Sequence, residues 1–168
     1  RYSDYKRASA QLDFDDLIFA ARALLRDHNA VRRALGQRFV HVLVDEFQDT
    51  DPLQTEIFWR LCGEPTNDDE DWTRFRIRPG ALFLVGDPKQ AIYRFRGGDL
   101  ATYLAARAGA QSCYQMRDNR RSTPELIAAL NALFRRGLPR SQLAMPLLEA
   151  KATRGGDGQV PMELLWLG

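Results

Sequence analysis

The 168-residue sequence is short of lysine, cysteine and histidine. Its lysines are Lys6, Lys89 and Lys151; the other 21 basic residues are arginine. Arginine suits bidentate phosphate contacts, although base composition of a genome gives the same bias. Cys62 and Cys113 stand too far apart for a metal-type pair, and both read as ordinary buried thiols of a reducing compartment. His28 and His41 have no ligand spacing, so a zinc site is not expected. No apolar run approaches the roughly 20 residues of a membrane span, and no signal-peptide pattern opens the chain. The expectation is a cytoplasmic protein with no membrane partner. Arg1 is not an initiator methionine, which places the native start elsewhere.

What is present is an ordinary globular mix, 45% hydrophobic and 27% charged, enough for a core and against disorder. The net charge of +2 hides an asymmetry. Glu64, Asp68, Asp69, Glu70 and Asp71 cluster with no basic residue among 64–71; without those five acids the charge would be +7. A basic body with one acidic loop fits a polyanionic partner.

Residues 13–28 read as an amphipathic helix. Phe14, Leu17, Ile18, Ala21, Leu24 and Leu25 recur at helical spacing, Asp13 is placed as N-cap, and Asp15 and Asp16 favour the positive helix start. Gly36 ends the basic segment that follows. Residues 39–44, Phe-Val-His-Val-Leu-Val, predict a buried strand. Pro52 opens a helix after Asp51 that turns Leu53, Ile57, Phe58 and Leu61 inward and stops near Gly63. Residues 64–80 read as a surface insertion and 81–85 as a second buried strand. Helices are expected over about 99–107 and 125–135, the latter capped by Thr123. Residues 112–116 and 160–167 read as further strands, and 137–158 show little periodicity. The alternation predicts an α/β fold: a parallel sheet flanked by helices on both faces, with ligands beyond the carboxyl ends of the strands.

Polar residues stand at those ends. Asp45 and Glu46 follow the first strand, and Asp87 to Gln90 follow the second. Of two adjacent acids at a sheet edge, one suits Mg²⁺ and the other suits activating a water. An acidic pair is equally a common strand cap, so the dipeptide alone decides nothing.

The surroundings decide more. Val-Asp-Glu-Phe-Gln-Asp-Thr-Asp at 44–51 resembles the Walker B segment, motif II, of UvrD-like superfamily-1 DNA helicases. Leu-Val-Gly-Asp-Pro-Lys-Gln-Ala-Ile-Tyr-Arg-Phe-Arg-Gly-Gly-Asp at 84–99 is similar to motif III, and Asp-Asn-Arg-Arg-Ser-Thr-Pro at 118–124 to motif IV. Leu-Asp-Phe-Asp-Asp-Leu-Ile at 12–18 matches the segment that precedes motif II. The wording at 49–54 and 86–93 lies closest to the RecB branch, the exonuclease V beta type. The resemblance covers about residues 12–135.

That resemblance implies a RecA-like P-loop motor fold, ATP and Mg²⁺ as nucleotide and metal, and DNA, single- or double-stranded, as the track. Asp45 would hold Mg²⁺, Glu46 would be the catalytic base, Gln90 would sense the γ-phosphate, and Arg121 would act as an arginine finger supplied within the chain. Arg120 would stand where relatives stack an aromatic on adenine. Tyr93, Phe95 and Arg96 would face single-stranded DNA, although their alternation alone equally suits a strand core. Gln48 and Asp49 would tie motif II to its neighbours. Residues 1–117 would be part of the first motor domain, and 118–168 would carry motif IV and the start of the second. RecC- and RecD-like subunits would be partners of the whole protein.

The sequence departs from the family in one large respect. No Gly-Lys-Ser or Gly-Lys-Thr occurs, so the loop that cradles the β- and γ-phosphates is absent. The chain alone is therefore expected to hydrolyse no ATP. Two alternatives stand beside the RecB-type motor: a UvrD-type repair helicase without nuclease partners, and a non-enzymatic DNA-binding or assembly module.

Overall fold

The computed structural model describes residues 2–65, 71–91, 99–137, 145–151 and 162. The chain divides into two compact units, Arg1–Gly109 and Ala110–Gly168.

The first unit opens with a short helix α1 (Tyr2–Ala8) and the longer α2 (Phe14–Asp27). Asp13 caps α2 as expected: its carboxylate accepts from the Asp16 amide while the Asp16 side chain accepts from the Asp13 amide. Lys6 ties α1 to this cap, its ammonium 2.9 Å from Asp13 Oδ2 and 2.7 Å from Asp16 Oδ2. The Lys6 hydrogen bond, then the Asp16 amide, hold the Asp13 carboxyl at about 2 against an ordinary 3.8. A depressed carboxylate stabilises the fold above its unfolded value and loses that contribution as pH falls through the folded one. The α1–α2 corner is thus expected to persist down to about pH 4 and to weaken toward pH 2. A carboxyl-carbon NMR titration of Asp13 with its midpoint near 4 would contradict this.

Helix α3 (Asn29–Arg38) continues past Gly36, where the basic segment was expected to end. Gly36 serves close packing instead: a Cβ there would lie 3.1 Å from the Leu61 carbonyl oxygen. Strand β1 (Val42–Val44) pairs in parallel with β4 (Leu82–Leu84), Val42 opposite Leu82 and Val44 opposite Leu84. Between them lie helix α4 (Pro52–Cys62) and an antiparallel ribbon of β2 (Gly63–Glu64) and β3 (Arg76–Ile77). Helix α5 (Leu100–Ala108), capped by Asp99, closes the unit.

Three packing expectations fail here. Both parallel strands were read as buried, yet Leu43 is 75% exposed, and Phe39, Val40, Phe83 and Val85 are exposed with it. A parallel sheet is normally covered on both faces; this one has two strands among the described residues, with one apolar face open. Likewise the α2 stripe is mostly exposed at Phe14, Leu17 and Leu24, and only Leu25 is buried. In α4 the predicted inward residues Leu53, Ile57, Phe58 and Leu61 are half-buried, while the polar Thr55, Glu56 and Arg60 are buried. Glu56 accepts from Arg22 Nε of α2 and, at 2.7 Å, from Arg60 Nε, so the α2–α4 seam is ionic as well as apolar.

The acidic insertion is also better anchored than its composition implied. Phe75 is buried between the guanidinium groups of Arg32 and Arg60, 5.5 and 5.4 Å from its ring centre. Residues 66–70, including Asp68, Asp69 and Glu70, lie outside the described residues.

In the second unit, β5 (Asp118–Asn119) pairs in parallel with β6 (Glu149–Ala150), and α6 (Pro124–Leu133) begins at the Thr123 cap. Asn131 of α6 holds β6 from its neighbour Leu148, donating to its carbonyl at 2.9 Å and accepting from its amide at 3.0 Å. The strand expected at 112–116 is exposed coil. A pairing partner instead arises within 137–158, where no periodicity showed it. The strand expected at 160–167 lies outside the described residues apart from Met162, which is not in a strand. Of the two thiols, Cys62 is buried and pushed up to about 11 by burial, whereas Cys113 is exposed, against expectation. Among the described residues no helix is long and apolar enough to cross a membrane.

Candidate functional site

Because β1 and β4 run parallel, the residues after each emerge at the same sheet edge. That edge carries Asp45 and Glu46 on one side and Gly86 to Gln90 on the other. Val85 donates to the Val44 carbonyl at 2.8 Å and Phe47 donates to the Val85 carbonyl at 2.9 Å, so the ladder extends into both segments.

Glu46 sits in the left-handed region, with φ 51° and ψ 39°. For a residue with a Cβ this costs on the order of 1–3 kcal/mol and is concentrated at functional sites. The bend turns the chain at once into a short 3₁₀ turn, Phe47–Asp49, whose Phe47 ring is buried against Trp59 and Tyr103. Gln48, on that turn, is 2% exposed and spans the site. Its amide nitrogen donates to Glu46 Oε2 at 2.7 Å, and its carbonyl oxygen accepts from the Asp87 backbone amide at 2.9 Å. One buried amide therefore fixes the Glu46 carboxylate to the segment that follows β4.

Gly86 makes room for that amide. A Cβ at Gly86 would fall 2.7 Å from Gln48 Oε1 and 3.2 Å from the Phe47 nitrogen. Tyr103 of α5 donates to the Gly86 carbonyl at 3.2 Å and holds the segment from outside.

Residues 1–111 match the model of the UvrD/REP helicase N-terminal domain. The chain belongs to that family. Among similar proteins is the RecBCD enzyme subunit RecB of Escherichia coli (strain K12), 38% identical over 131 residues, which cover 77% of this chain and 10% of that protein. The proteins of the same name from Chlamydia trachomatis serovar D and Mycobacterium tuberculosis (strain H37Rv) are 42% and 43% identical, over 79% and 77% of this chain and 12% and 10% of theirs. The chain thus spans about a tenth of the length of the curated relatives it matches.

Asp45, Asp87 and Gln90 are further polar residues at this edge, with Asp45 and Gln90 exposed and Asp87 half-buried. Asp87 caps the 3₁₀ turn Pro88–Gln90, accepting from Lys89 Nζ at 2.6 Å and from Gln90 Nε2 at 3.2 Å. Burial works to raise the Asp87 carboxyl, but the hydrogen bonds from Lys89, Gln90 and the Lys89 amide outweigh it and hold it below its ordinary value. Gln90 is exposed, with its amide oxygen unengaged among the described residues. Asp45 spends one oxygen on the Glu46 amide at 2.9 Å and keeps the other open to solvent. A donor set of one open carboxylate suits Mg²⁺, which keeps most of its water and phosphate ligands.

Arg120 and Arg121 lie in the second unit. Asn119 Oδ1 accepts from the Arg121 and Ser122 amides, shaping the turn before α6 and leaving the Arg121 side chain exposed. Arg120 is largely exposed and approaches Asp118 no closer than 3.8 Å. Tyr93, Phe95 and Arg96 lie outside the described residues. The tie expected of Gln48 is present in its bond to the Asp87 amide, whereas the close approach at Gly86 was missed from sequence. The available signal was the glycine directly after a strand, which marks a close backbone approach.

Proposed function

We propose that this chain is the Walker B side of an ATP-driven DNA motor of the RecB type, acting in recombinational double-strand break repair. The observation that carries the proposal is the Gln48 bridge, which holds a carboxylate at the carboxyl end of one parallel strand against the segment after its neighbour. Ligands in parallel α/β sheets bind at such ends, and motif II and motif III meet there.

In this reading residues 1–117 belong to a first RecA-like motor domain, and residues from 118 onward carry motif IV and begin the second. Asp45 holds Mg²⁺, which when bound neutralises charge on the phosphates of ATP. Glu46, with one oxygen fixed by Gln48, takes the proton from the attacking water through the other. Gln90 reads the γ-phosphate with an amide that donates and accepts. Arg121 neutralises charge on the transferring group, and Arg120 lies against the nucleotide base. Tyr93, Phe95 and Arg96 contact single-stranded DNA, so motif III joins nucleotide to track within a few residues. RecC- and RecD-like subunits complete the enzyme.

The test is ATP hydrolysis, with and without single-stranded DNA, by the protein that includes the phosphate loop and the second motor domain. DNA-stimulated turnover that disappears with Glu46→Gln is the expected result. A folded protein that binds nucleotide but shows no turnover would favour a non-enzymatic assembly module. The 168-residue chain alone, without that loop, is expected to be inactive.

A further inference from the structure

A second polar recess lies at the opposite end of β1 and β4. It is a cavity of about 370 Å³ whose lining includes Arg32, Arg33 and Gly36 of α3, Glu64 of β2 and Arg78 before β4. Gly36 precedes β1 and Arg78 precedes β4, whereas Glu46 and Gln90 follow those strands.

The arginines are held unusually for a surface cluster. Arg32 is only 5% exposed. It donates to the Gly63 carbonyl at 3.2 Å and rests on the Phe75 ring. Arg78 donates to the carbonyls of Gly36 at 2.9 Å and Leu61 at 3.3 Å. Arg33 is exposed and makes no hydrogen bond or ion pair among the described residues. None of the three forms an ion pair there; Glu64 is the one acid in the lining. Burial pushes the Arg32 guanidinium down, Arg33 and Arg60 push the same way, and Glu64 opposes them.

Arg32 is offset by the Gly63 carbonyl, the Phe75 ring and the nearby Glu64, but by no ion pair among the described residues, so an anion at the cavity would lower the cost of burying it. The carbonyls at the end of α4 would by themselves repel an anion. Arg32 and Arg78 cover those carbonyls and reverse the sign of the surface. A guanidinium has five N–H donors; Arg78 spends two on backbone oxygens and Arg32 one. The rest make no hydrogen bond among the described residues.

We propose that this cavity is a phosphate-binding site, distinct from the nucleotide site, in which Arg32, Arg33 and Arg78 grip one phosphate group by charge-assisted hydrogen bonds. The phosphate comes from a DNA backbone or from free phosphate, and only the DNA source rests on the motor reading above.

The experiment uses the protein containing the complete motor and compares wild type with Arg33→Ala, whose exposed side chain has no partner among the described residues, with folding checked by circular dichroism. Binding of a labelled oligothymidylate is measured against chloride concentration without nucleotide. Loss of one phosphate contact lowers the slope of log affinity against log salt by about 0.7, which would assign the site to the DNA backbone. In parallel, inorganic phosphate at constant ionic strength is titrated against the Tm. A phosphate-dependent rise smaller in Arg33→Ala, with an unchanged DNA slope, would assign it to free phosphate. That second arm stands even if the protein binds no DNA. An unchanged slope together with identical phosphate responses would overturn the proposal.

Discussion

Exchanging Glu46 for glutamine is expected to lower ATP turnover by the complete motor about 10²- to 10⁴-fold, the range for losing a general base. Exchanging Gln48 for glutamate is expected to cost about 10²-fold with nucleotide binding largely kept, because small misplacements of a reacting group cost that much. Gln48→Glu is a selective change. Its carboxylate still accepts from the Asp87 amide, replacing the oxygen now 2.9 Å away. What it removes is the donor 2.7 Å from Glu46 Oε2, leaving two acidic groups face to face. Residues that act as one unit are non-additive. Adding Gln48→Glu to Glu46→Gln should therefore reduce turnover little further, as measured by single-turnover hydrolysis. Multiplying losses would mean that the two act separately, and an unaffected Gln48→Glu would remove the bridge from the mechanism.

Local signals in the sequence identified most elements but few of their burial patterns. The caps expected at Asp13 and Thr123 both form, because a cap depends on residues three positions apart, and Asp51 and Asp99 cap the helices expected to begin beside them. The placement of Asp45, Glu46 and Asp87 to Gln90 at strand ends was equally local, and parallel pairing then set them on one edge. Burial failed for the opposite reason. The stripe through Phe14, Leu17 and Leu24 and the strand residues Leu43 and Phe83 have the pattern of a covered core, but among the described residues nothing covers them. Hydrophobic periodicity reports which face is meant to be buried, not what stands against it. These open faces fit a chain that matches only about a tenth of its relatives' length. The β5–β6 pair was invisible because each strand is two residues long and its register depends on Asn131, seventeen residues from Leu148. The short acidic motif after β1 and the tying role of Gln48 were both legible; the partners of that amide, Glu46 and the Asp87 backbone, were not, because a contact across the sheet edge leaves no local pattern.

Replacing Glu56 by alanine is expected to destabilise the first unit by about 3–5 kcal/mol, the range for removing one partner of a buried ion pair. Glu56 is 3% exposed and sits on the face of α4 that packs toward α2 and α3. It accepts from Arg22 on α2 and from Arg60 one turn along α4, so one carboxylate offsets two guanidinium groups. Arg60 is itself buried and lies against Phe75, with Arg32 on the same ring. Without Glu56 these cations face each other across an apolar ring with less countercharge between them. Glu56→Gln would keep the shape and accept one hydrogen bond, but it removes the charge and should recover only part of the loss. Charge, more than packing, is thus the quantity to vary, and urea melts of the motor protein carrying Glu56→Ala, Glu56→Gln and the pair Glu56→Leu with Arg60→Leu separate the two. Well-packed apolar replacements of a whole buried ion pair are often neutral or stabilising, so the double variant should melt later than Glu56→Ala. If Glu56→Ala melts with wild type, the ionic seam contributes nothing and the packing of α2 against α4 rests on its apolar contacts.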